Sequence, residues 1–327
     1  MKVYVYGSAM NQSNDNNKST LASSGTADSI SDTQLQKALE KIQLLEQQLN
    51  LKVAPKPISK PSPLLEPFAQ LWQFRHFISS WVYRDLISRA VRSQHGLFWM
   101  IFSPLAMTGI YIVAFSSIMT GSIRGSTDPL IFPLSMTIAI AAWNLFSDLI
   151  LRLMATFTAN AALIKKLAFP RICLPASIIL SAWVTKLITM LIIVALFALF
   201  GKLPSEHILW FPLLLFSMSS LAIGIGMILA IFTVFFRDLS HAIPIVLQSF
   251  FWVTPIVYPL DSLKSPLKDI IQFNPLVPIV ESYRDIFVFH QNPNFMGLLY
   301  VFLVGLVFQA IAFYLFSKAQ KEIVDVL

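Results

Sequence analysis

Long uninterrupted runs of apolar residues are the feature that most constrains the fold of this chain. Several runs reach the roughly 20 residues that an α-helix needs to cross the ~30 Å hydrocarbon layer of a bilayer. Hydrophobic residues make up 56% of the 327 residues and charged residues only 13%, against roughly 25% charged in a soluble globular protein. Transmembrane barrel strands would instead show alternating segments of ~10 residues. We therefore predict an all-α integral membrane protein.

The apolar runs predict six transmembrane helices, at about 98–119, 131–151, 174–200, 208–236, 242–258 and 296–316. The fourth predicted span carries small residues at a spacing of four, Ala222, Gly226 and Ala230. Small residues allow two helices to approach closely. We expect this stripe to pack against another span of the same subunit.

Residues 1–66 have a different composition from the rest of the chain. Residues 7–33 are rich in Ser, Asn, Asp and Thr, which predicts disorder. Leu35, Ile42 and Leu49 then follow at a spacing of seven, a heptad pattern that indicates a short helix. This helix is either solvated or used for self-association or docking. A Pro-rich spacer follows, so we divide the chain into a cytoplasmic leader (1–66), an interfacial helix (67–95) and a six-span domain (96–327).

The segment 71–95 is too charged to cross a bilayer but is strongly two-sided as a helix. Two sets of residues at a spacing of four lie on different helix faces: Phe74, Ile78, Val82, Leu86 and Ala90 on one, and His76, Ser80, Arg84, Ser88 and Arg92 on the other. With two tryptophans nearby, the pattern predicts an amphipathic helix lying on a membrane surface. The alternative is an amphipathic core helix of a soluble domain.

The distribution of Lys and Arg predicts the orientation. Cytoplasmic flanks of membrane spans are enriched in these residues, and a cytoplasmic N-terminus places most of them inside. The inner flanks then hold Arg75, Arg84, Arg89, Arg92, Arg152, Lys165, Lys166, Arg171, Arg237, Lys318 and Lys321, and the outer flanks hold Arg124, Lys202, Lys264, Lys268 and Arg284. We predict a multi-pass protein of the inner (plasma) membrane with both termini cytoplasmic.

Prolines break the stretch between the fifth and sixth predicted spans. Pro259, Pro266, Pro275 and Pro278 divide it into apolar pieces too short to cross a bilayer. Such broken backbone is tolerated at membrane depth only where protein or a water-filled path surrounds it. The pattern favours a re-entrant helical hairpin; the alternative is an extracellular loop with two surface helices.

No catalytic or phosphate-binding motif is present in the sequence. The patterns GxxxxGK[ST], HExxH, CxxC and GxSxG are all missing, and each of them would signal a specific chemistry. The single cysteine, Cys173, excludes an intrachain disulfide. We therefore expect no catalytic residue, no metal and no bound cofactor, and no enzymatic activity in this chain. If the function of the chain requires energy, that energy must come from a partner or from an ion gradient.

Few charged residues interrupt the apolar runs. Asp148 and Arg152 are four apart on one helix face and are predicted to pair or to extend toward the interface. Lys186 lies near the middle of the third span, where a charge is costly and faces protein or water. Either a structural partner such as Asp148 neutralises it, or it forms the polar wall of a pathway.

Aromatic residues gather around the fifth predicted span: Phe250, Phe251, Trp252 and Tyr258. Aromatic side chains are enriched at both membrane–water interfaces, so they are consistent with an interfacial belt. They are equally consistent with a stacking surface for sugar rings inside a channel.

Several blocks of the sequence together resemble one known family. These blocks are "YRDLISRAVRSQHGLFWMIFSPL" (83–105), "PLSMTIAIAAWNLFSDLILR" (133–152), "NAALIKKLAFPRICLPASIILSAWV" (160–184), "VFFRDLSHAIPIVLQSFFWVTPIVYP" (234–259) and "FNPLVPIVESYRDIF" (273–287). They are similar to the transmembrane subunits of ABC transporters that export polysaccharide, such as O-antigen, capsule or teichoic acid. The resemblance covers about residues 72–327, and the long leader departs from the pattern.

The resemblance implies a homodimer of this subunit bound to two copies of a separate ATPase, which would carry ATP and magnesium. It also implies that a cytoplasmic segment between spans two and three docks on the ATPase. This coupling segment would comprise Asn160, Leu163, Ile164, Lys165, Lys166, Leu167, Pro170 and Arg171. A short helix at 161–168 is expected to end before Pro170, because proline disfavours helix in the preceding residue. The alternative is that these cations only mark the cytoplasmic side.

The implied substrate is a lipid-linked glycan. Its pyrophosphate would meet Arg84, Arg89 and Arg92, since guanidinium groups bind phosphate oxygens well. The four aromatics would line a channel, and no nucleic-acid partner is expected. Two other functions stay open at this point: export of a drug or lipid, and a membrane-embedded glycan transferase.

Overall fold

The computed structural model describes residues 66–91, 102, 106–114, 128–166, 170 and 172–326. The predictions for the leader at 1–65 therefore lie outside the described residues. Throughout the described part of the chain the regular structure is helical, without strands. The main helices are α1 (Glu66–Gln73), α2 (Arg75–Val91), α3 (Ile131–Met154), α4 (Thr156–Ala159), α5 (Ala161–Lys166), α6 (Cys173–Leu199), α7 (Phe211–Phe235), α8 (Leu239–Val253), α9 (Leu267–Gln272), α10 (Leu276–Arg284) and α11 (Phe295–Val326).

Four helical stretches in the described residues are long and apolar enough to cross a membrane: Ile131–Met154, Cys173–Leu199, Glu206–Phe235 and Phe295–Ala319. They match the second, third, fourth and sixth predicted spans. The third of these stretches includes the 3-10 turn Glu206–Trp210 that leads into α7. Of the first predicted span, residue 102 and residues 106–114 are helical, and the remainder lies outside the described residues.

The fifth predicted span is shorter than expected. Its helix, α8, has 15 residues, about 22 Å at 1.5 Å per residue, and it ends at Val253 rather than at 258. Thr254 is already extended, with ψ 135°. Pro255 follows Thr254, and a residue before proline is driven out of the helical conformation.

Helix α7 is the centre of the packing, because it contacts both α3 and α11. On one face, a Cβ added to Gly224 would lie 2.5 Å from the Phe308 Cβ and 3.0 Å from the Gly305 carbonyl oxygen. On the opposite side, a Cβ on Gly226 would lie 2.9 Å from the Leu153 Cβ of α3. Ala222 and Ala230 are fully buried. The predicted small-residue stripe therefore packs within the subunit, and Gly224 adds a second close contact.

Polar side chains reinforce the contact between α7 and α11. The Ser217 hydroxyl donates to the Leu298 carbonyl at 2.6 Å, and the Ser220 hydroxyl donates to the Phe302 carbonyl at 3.2 Å. In the other direction, the Gln309 amide donates to the Ser220 carbonyl at 2.8 Å. Such bonds form only when two helix backbones are close, since a serine side chain is short.

The proline-rich stretch after α8 folds into two helices that differ in burial. Helix α9 exposes Leu267 and Ile270, whereas α10 packs against α3, α7 and α11. Arg284 of α10 is 5% exposed; it pairs with Glu281 at 2.6 Å and donates to the Ile256 carbonyl at 2.8 Å. A π-helical turn, Asp285–Phe289, continues α10. The second half of this segment is therefore part of the core rather than a surface loop.

An ion pair joins two loops at the end of the bundle opposite α5. The Lys202 ammonium lies 2.5 Å from the Asp128 carboxylate. The hydrogen bond from Lys202, followed by that from the Leu130 N–H, lowers the pKa of Asp128 below its ordinary value of 3.8. A carboxylate with a lowered pKa stabilises the fold above that ordinary value and loses the effect as the pH falls below it.

The glycine contact between α7 and α11 predicts that Gly305→Ala destabilises the protein. The new Cβ would lie 2.6 Å from the Leu221 backbone nitrogen. We expect a loss of about 1–3 kcal/mol from overpacking, measured as a lower melting temperature in detergent. Gly109→Ala is the matched control, because nothing lies within 4 Å of the added carbon. An unchanged or higher melting temperature for Gly305→Ala would contradict this packing.

Candidate functional site

Helix α2 is two-sided, as its sequence predicts. Ile78 and Val82 are buried with Cys173 at the start of α6, while His76, Ser80, Arg84 and Ser88 are exposed. Partly buried residues complete the apolar contact: Leu71, Phe74, Phe77, Leu86, Ile172, Ala176 and Val184. Helix α2 is therefore anchored on the first turns of α6.

An ionic network fixes the register of α2 against α3 and α6. Arg152 of α3 donates to the Asp85 carboxylate at 2.9 Å and to the Ser181 hydroxyl at 3.3 Å. The Ser181 hydroxyl in turn donates to Asp85. The predicted pair between Arg152 and Asp148 is confirmed at 3.5 Å, but Asp85 is the closer partner. Sequence reasoning missed Asp85, because no local spacing connects residues 85 and 152.

The structure describes the side chain of only one of the three arginines predicted to bind a phosphate group. Arg84 is exposed, and its guanidinium lies over the Trp81 ring, 4.8 Å from the ring centroid. The side chain of Arg89 and all of Arg92 lie outside the described residues. Stacking on Trp81 holds the Arg84 guanidinium at the surface without using its hydrogen-bond donors.

The segment between α3 and α6 forms two short helices, α4 and α5. The backbone N–H groups of Leu163 and Ile164 donate to the Asn160 carbonyl at 3.0 Å, and the Asn160 amide donates to the Thr156 carbonyl at 2.8 Å. Helix α5 is described from Ala161 to Lys166. The predicted helix extended to residue 168, and residues 167–169 and 171 lie outside the described residues, so Leu167 and Arg171 have no described structure. Pro170 is half-buried.

The apolar residues of α5 do not share one environment. Ile164 packs on a cluster around the fully buried Phe157, which we name the Phe157 cluster; its other members are Ala230, Ile231, Val234 and Ile323, with Met227, Leu315, Phe316 and Ala319 at its edge. The Phe157 and Phe316 rings stack with centroids 5.7 Å apart. Ala162 and Lys165 are exposed and Leu163 is half-buried. The cluster thus connects α4 and α5 to the ends of α7 and α11.

Lys186, in the middle of α6, is 5% exposed. Its ammonium donates to the Ala141 carbonyl of α3 and lies 5.4 Å from the centroid of the Tyr283 ring of α10. The partners are thus a carbonyl and an aromatic face, which both attract a cation, rather than the Asp148 carboxylate. Lys186 joins α3, α6 and α10.

Lys186 also lines a cavity of about 330 Å³ between residues 107–111, α3 and α6. Its polar lining consists of Thr108, Tyr111, Thr137, Asn144, Asp148, Thr185, Lys186 and Thr189. Lys186 therefore has structural partners, although not the predicted Asp148. It also forms part of a cavity wall, while its role in a pathway stays a prediction. Spacing alone did not identify the threonines, since each is common in an apolar helix.

The four predicted aromatics separate into two environments. Phe250 and Phe251 pack against Trp143 of α3, with ring centroids 6.4 and 5.6 Å apart. Trp252 is 59% exposed. The Tyr258 hydroxyl shares its one hydrogen between the Trp252 and Val253 carbonyls, at 3.2 and 3.1 Å, so Tyr258 caps the end of α8. Only Trp252 presents most of its ring outside the subunit.

The chain has clear relatives among known proteins. Residues 78–288 match a family model described as ABC-2 type transporter. The chain is 26% identical over 258 residues to the O-antigen export system permease protein RfbA of Myxococcus xanthus, covering 78% of this chain and 97% of that protein. It is 28% identical over 246 residues to a protein of the same name from Klebsiella pneumoniae, covering 75% of this chain and 92% of that protein.

The ionic network predicts that Asp85→Ala loosens α2. A hydrogen bond to a charged group contributes about 1.5–3 kcal/mol, so amide hydrogen exchange across Arg75–Val91 should become about tenfold faster or more. Asp261→Ala is the control, because Asp261 forms a surface pair with Lys268 at 3.0 Å and its side chain is 70% exposed. Unchanged exchange in Asp85→Ala would mean that apolar packing alone holds α2.

Proposed function

The chain belongs to the ABC-2 type transporter family, and we propose that it is the membrane subunit of an ATP-driven exporter of lipid-linked polysaccharide. The observation that carries this proposal is the extent of the similarity to O-antigen export permeases. It spans 92–97% of those proteins and 75–78% of this chain. A match over nearly the whole length of a relative supports a shared architecture, whereas a local match would support only a shared motif.

The proposed topology has six membrane spans in the inner membrane, with both termini in the cytoplasm. The four long apolar stretches, the shorter α8 and the helical residues 106–114 would supply the spans. Helix α6 supports the orientation, because it separates Lys165 and Lys166 from Lys202. The more basic end would be cytoplasmic.

The segment 260–290 is proposed as a re-entrant hairpin that closes the outer side. Its second half, α10, is buried among α3, α7 and α11. The Arg284 guanidinium donates to the Glu281 carboxylate and to the Ile256 carbonyl inside the protein, and polar groups at membrane depth require such partners. The exposed apolar residues of α9, Leu267 and Ile270, would face lipid or the headgroup region.

Two copies of the subunit are proposed to assemble with a separate ATPase that binds α5. The exposed Ala162 and Lys165, together with Leu163 and the following Lys166, Leu167 and Arg171, would form the docking face. Ile164 would instead carry the motion inward, since it contacts the Phe157 cluster. Movement of the ATPase would thereby reach α7 and α11.

The substrate is proposed to approach along α2. Arg84, with Arg89 and Arg92 further along the same segment, would contact the pyrophosphate of the lipid-linked glycan. Trp252, with its ring mostly exposed, would contact the glycan, while Phe250 and Phe251 support it from inside.

The proposed function predicts a specific phenotype when the chain is deleted from its natural host. Surface polysaccharide should disappear, while the full-length lipid-linked polymer accumulates on the cytoplasmic side of the membrane. Immunoblots of surface and membrane fractions would measure both pools. Unchanged surface polysaccharide would favour export of a drug or lipid, and complete absence of polymer would favour a transferase.

The two faces of α5 predict different defects. Leu163→Asp and Lys165→Glu should reduce co-purification of the ATPase and leave the melting temperature unchanged. Ile323→Ala, on α11 in the Phe157 cluster that the inner face of α5 contacts, should instead keep ATPase binding and lose about 2–5 kcal/mol of stability through the cavity that it leaves. Lys264→Glu, at an exposed position outside α5, is the charge-matched control. Normal ATPase binding by Leu163→Asp and Lys165→Glu would refute the docking assignment.

A further inference from the structure

The cavity beside Lys186 brings several polar side chains together in an apolar part of the molecule, although apolar residues such as Ile140, Leu145 and Ile193 also line it. It lies between residues 107–111, α3 and α6, and its volume is about 330 Å³. Ligand sites range over roughly 300–1,000 Å³, so this one suits a small group rather than a whole polymer. Asn144, one of its lining residues, is exposed, so the wall of the cavity extends to the surface of the part of the chain that the structure describes.

Most threonines of the cavity have already used their hydroxyl hydrogens. Thr185 donates to the Ser181 carbonyl at 2.9 Å, and Thr189 donates to the Thr185 carbonyl at 3.0 Å. Thr137 lies 2.9 Å from the Pro133 carbonyl and 3.2 Å from the Thr108 hydroxyl. A hydroxyl has one hydrogen and two lone pairs. These side chains therefore offer acceptors to anything inside the cavity.

Lys186 supplies the complementary donor. An ammonium has three N–H donors, and the described partners of Lys186 are one carbonyl, that of Ala141, and the face of the Tyr283 ring. Lys186 lines the cavity together with Ala141, its hydrogen-bond acceptor, and these partners do not use all of its N–H groups, so one can donate to a ligand oxygen. The cavity thus combines several acceptors with a donor held between α3 and α10.

This combination selects among ligand classes. A phosphate needs many donors, and it would be repelled by the threonine lone pairs and by the Asp148 carboxylate on the same wall. A simple cation would find one carboxylate on the wall, Asp148, and that carboxylate already pairs with Arg152. An acyl chain would leave the acceptor lone pairs of the threonine hydroxyls unused, whereas a ligand that forms hydrogen bonds would use them. A group that both donates and accepts hydrogen bonds, such as a sugar hydroxyl, can bond to the threonine oxygens and to the Lys186 donor.

On the basis of the function proposed above, we propose that the cavity between residues 107–111, α3 and α6 binds a sugar unit of the exported glycan through Thr185, Thr189 and Lys186. The threonine oxygens accept hydrogen bonds from sugar hydroxyls, and the ammonium donates to a sugar oxygen. The site holds one part of the polymer beside the spans, at a different place from Trp252.

The test is site-specific photocrosslinking in cells that produce the polysaccharide. Benzoylphenylalanine replaces Ile140, which lines the cavity, and Met107 on the facing wall serves as a second position. After irradiation the purified subunit is oxidised with periodate and stained with a hydrazide for attached sugar. The expected result is a sugar-bearing adduct at one or both positions, and its absence at both would overturn the proposal. Ile270, exposed on α9, is the position control, and an adduct there alone would also overturn it.

Variants then test the hydroxyl contacts. Thr185→Val combined with Thr189→Val keeps the side-chain shape and removes both oxygens, so the adduct should fall about tenfold. Thr233→Val is the matched control, because Thr233 is buried and donates to the Leu229 carbonyl at 2.7 Å in the same way but lies in α7, outside the cavity. Lys186→Met should also reduce the adduct. Equal adduct yields in the double variant and in Thr233→Val would overturn the assignment.

The deletion experiment separates failure of this inference from failure of the proposed function. If deletion of the chain leaves surface polysaccharide unchanged, the proposed function fails and this site with it. If deletion abolishes export but neither cavity position yields a sugar adduct, only the sugar site fails. Surface polysaccharide in the crosslinking strains confirms that the substituted subunits still export.

Discussion

The close contact between α7 and α11 is the interaction on which the rest of the structure depends. Gly224 and Gly305 bring the two backbones together, and side-chain hydrogen bonds that involve Ser217, Ser220 and Gln309 hold them there. Helix α10 packs on both helices, and the Phe157 cluster forms where their far ends meet α4 and α5. Because protein interiors are close-packed and transmit strain, a shift of α7 or α11 would change the packing of both α5 and α10.

Polar groups in apolar surroundings connect the helices rather than weaken them. The Trp183 indole donates to the Ser219 hydroxyl at 2.8 Å and joins α6 to α7. Arg152 joins α3 to α2, and Lys186 joins α3 to α10. An unpaired polar group away from water is costly, so each of these side chains favours one arrangement of its neighbours. The cavity beside Lys186 is the place where such groups gather without filling the space between them.

Particular residues explain which predictions from the sequence were accurate. The faces of α2 followed from a spacing of four, because a helix repeats every 3.6 residues wherever it lies. The end of α8 was placed too late, since the apolar run continues past Thr254 and only Pro255 breaks the helix. The predicted docking residues Leu163 and Ile164 face different surroundings, because adjacent helix positions are 100° apart. Asp85 was missed because its partners are distant in sequence.

The sequence by itself determined that the chain is helical, that it carries several membrane-length apolar segments, and that its two-sided helix precedes them. These properties depend on local composition and periodicity, which a chain carries before it folds. The tertiary structure alone decided that α10 is buried, that Asp85 rather than Asp148 is the nearer partner of Arg152, and that scattered threonines and Lys186 share one cavity. Those features depend on which helix faces meet, and that is set by close contacts such as Gly224 with Gly305.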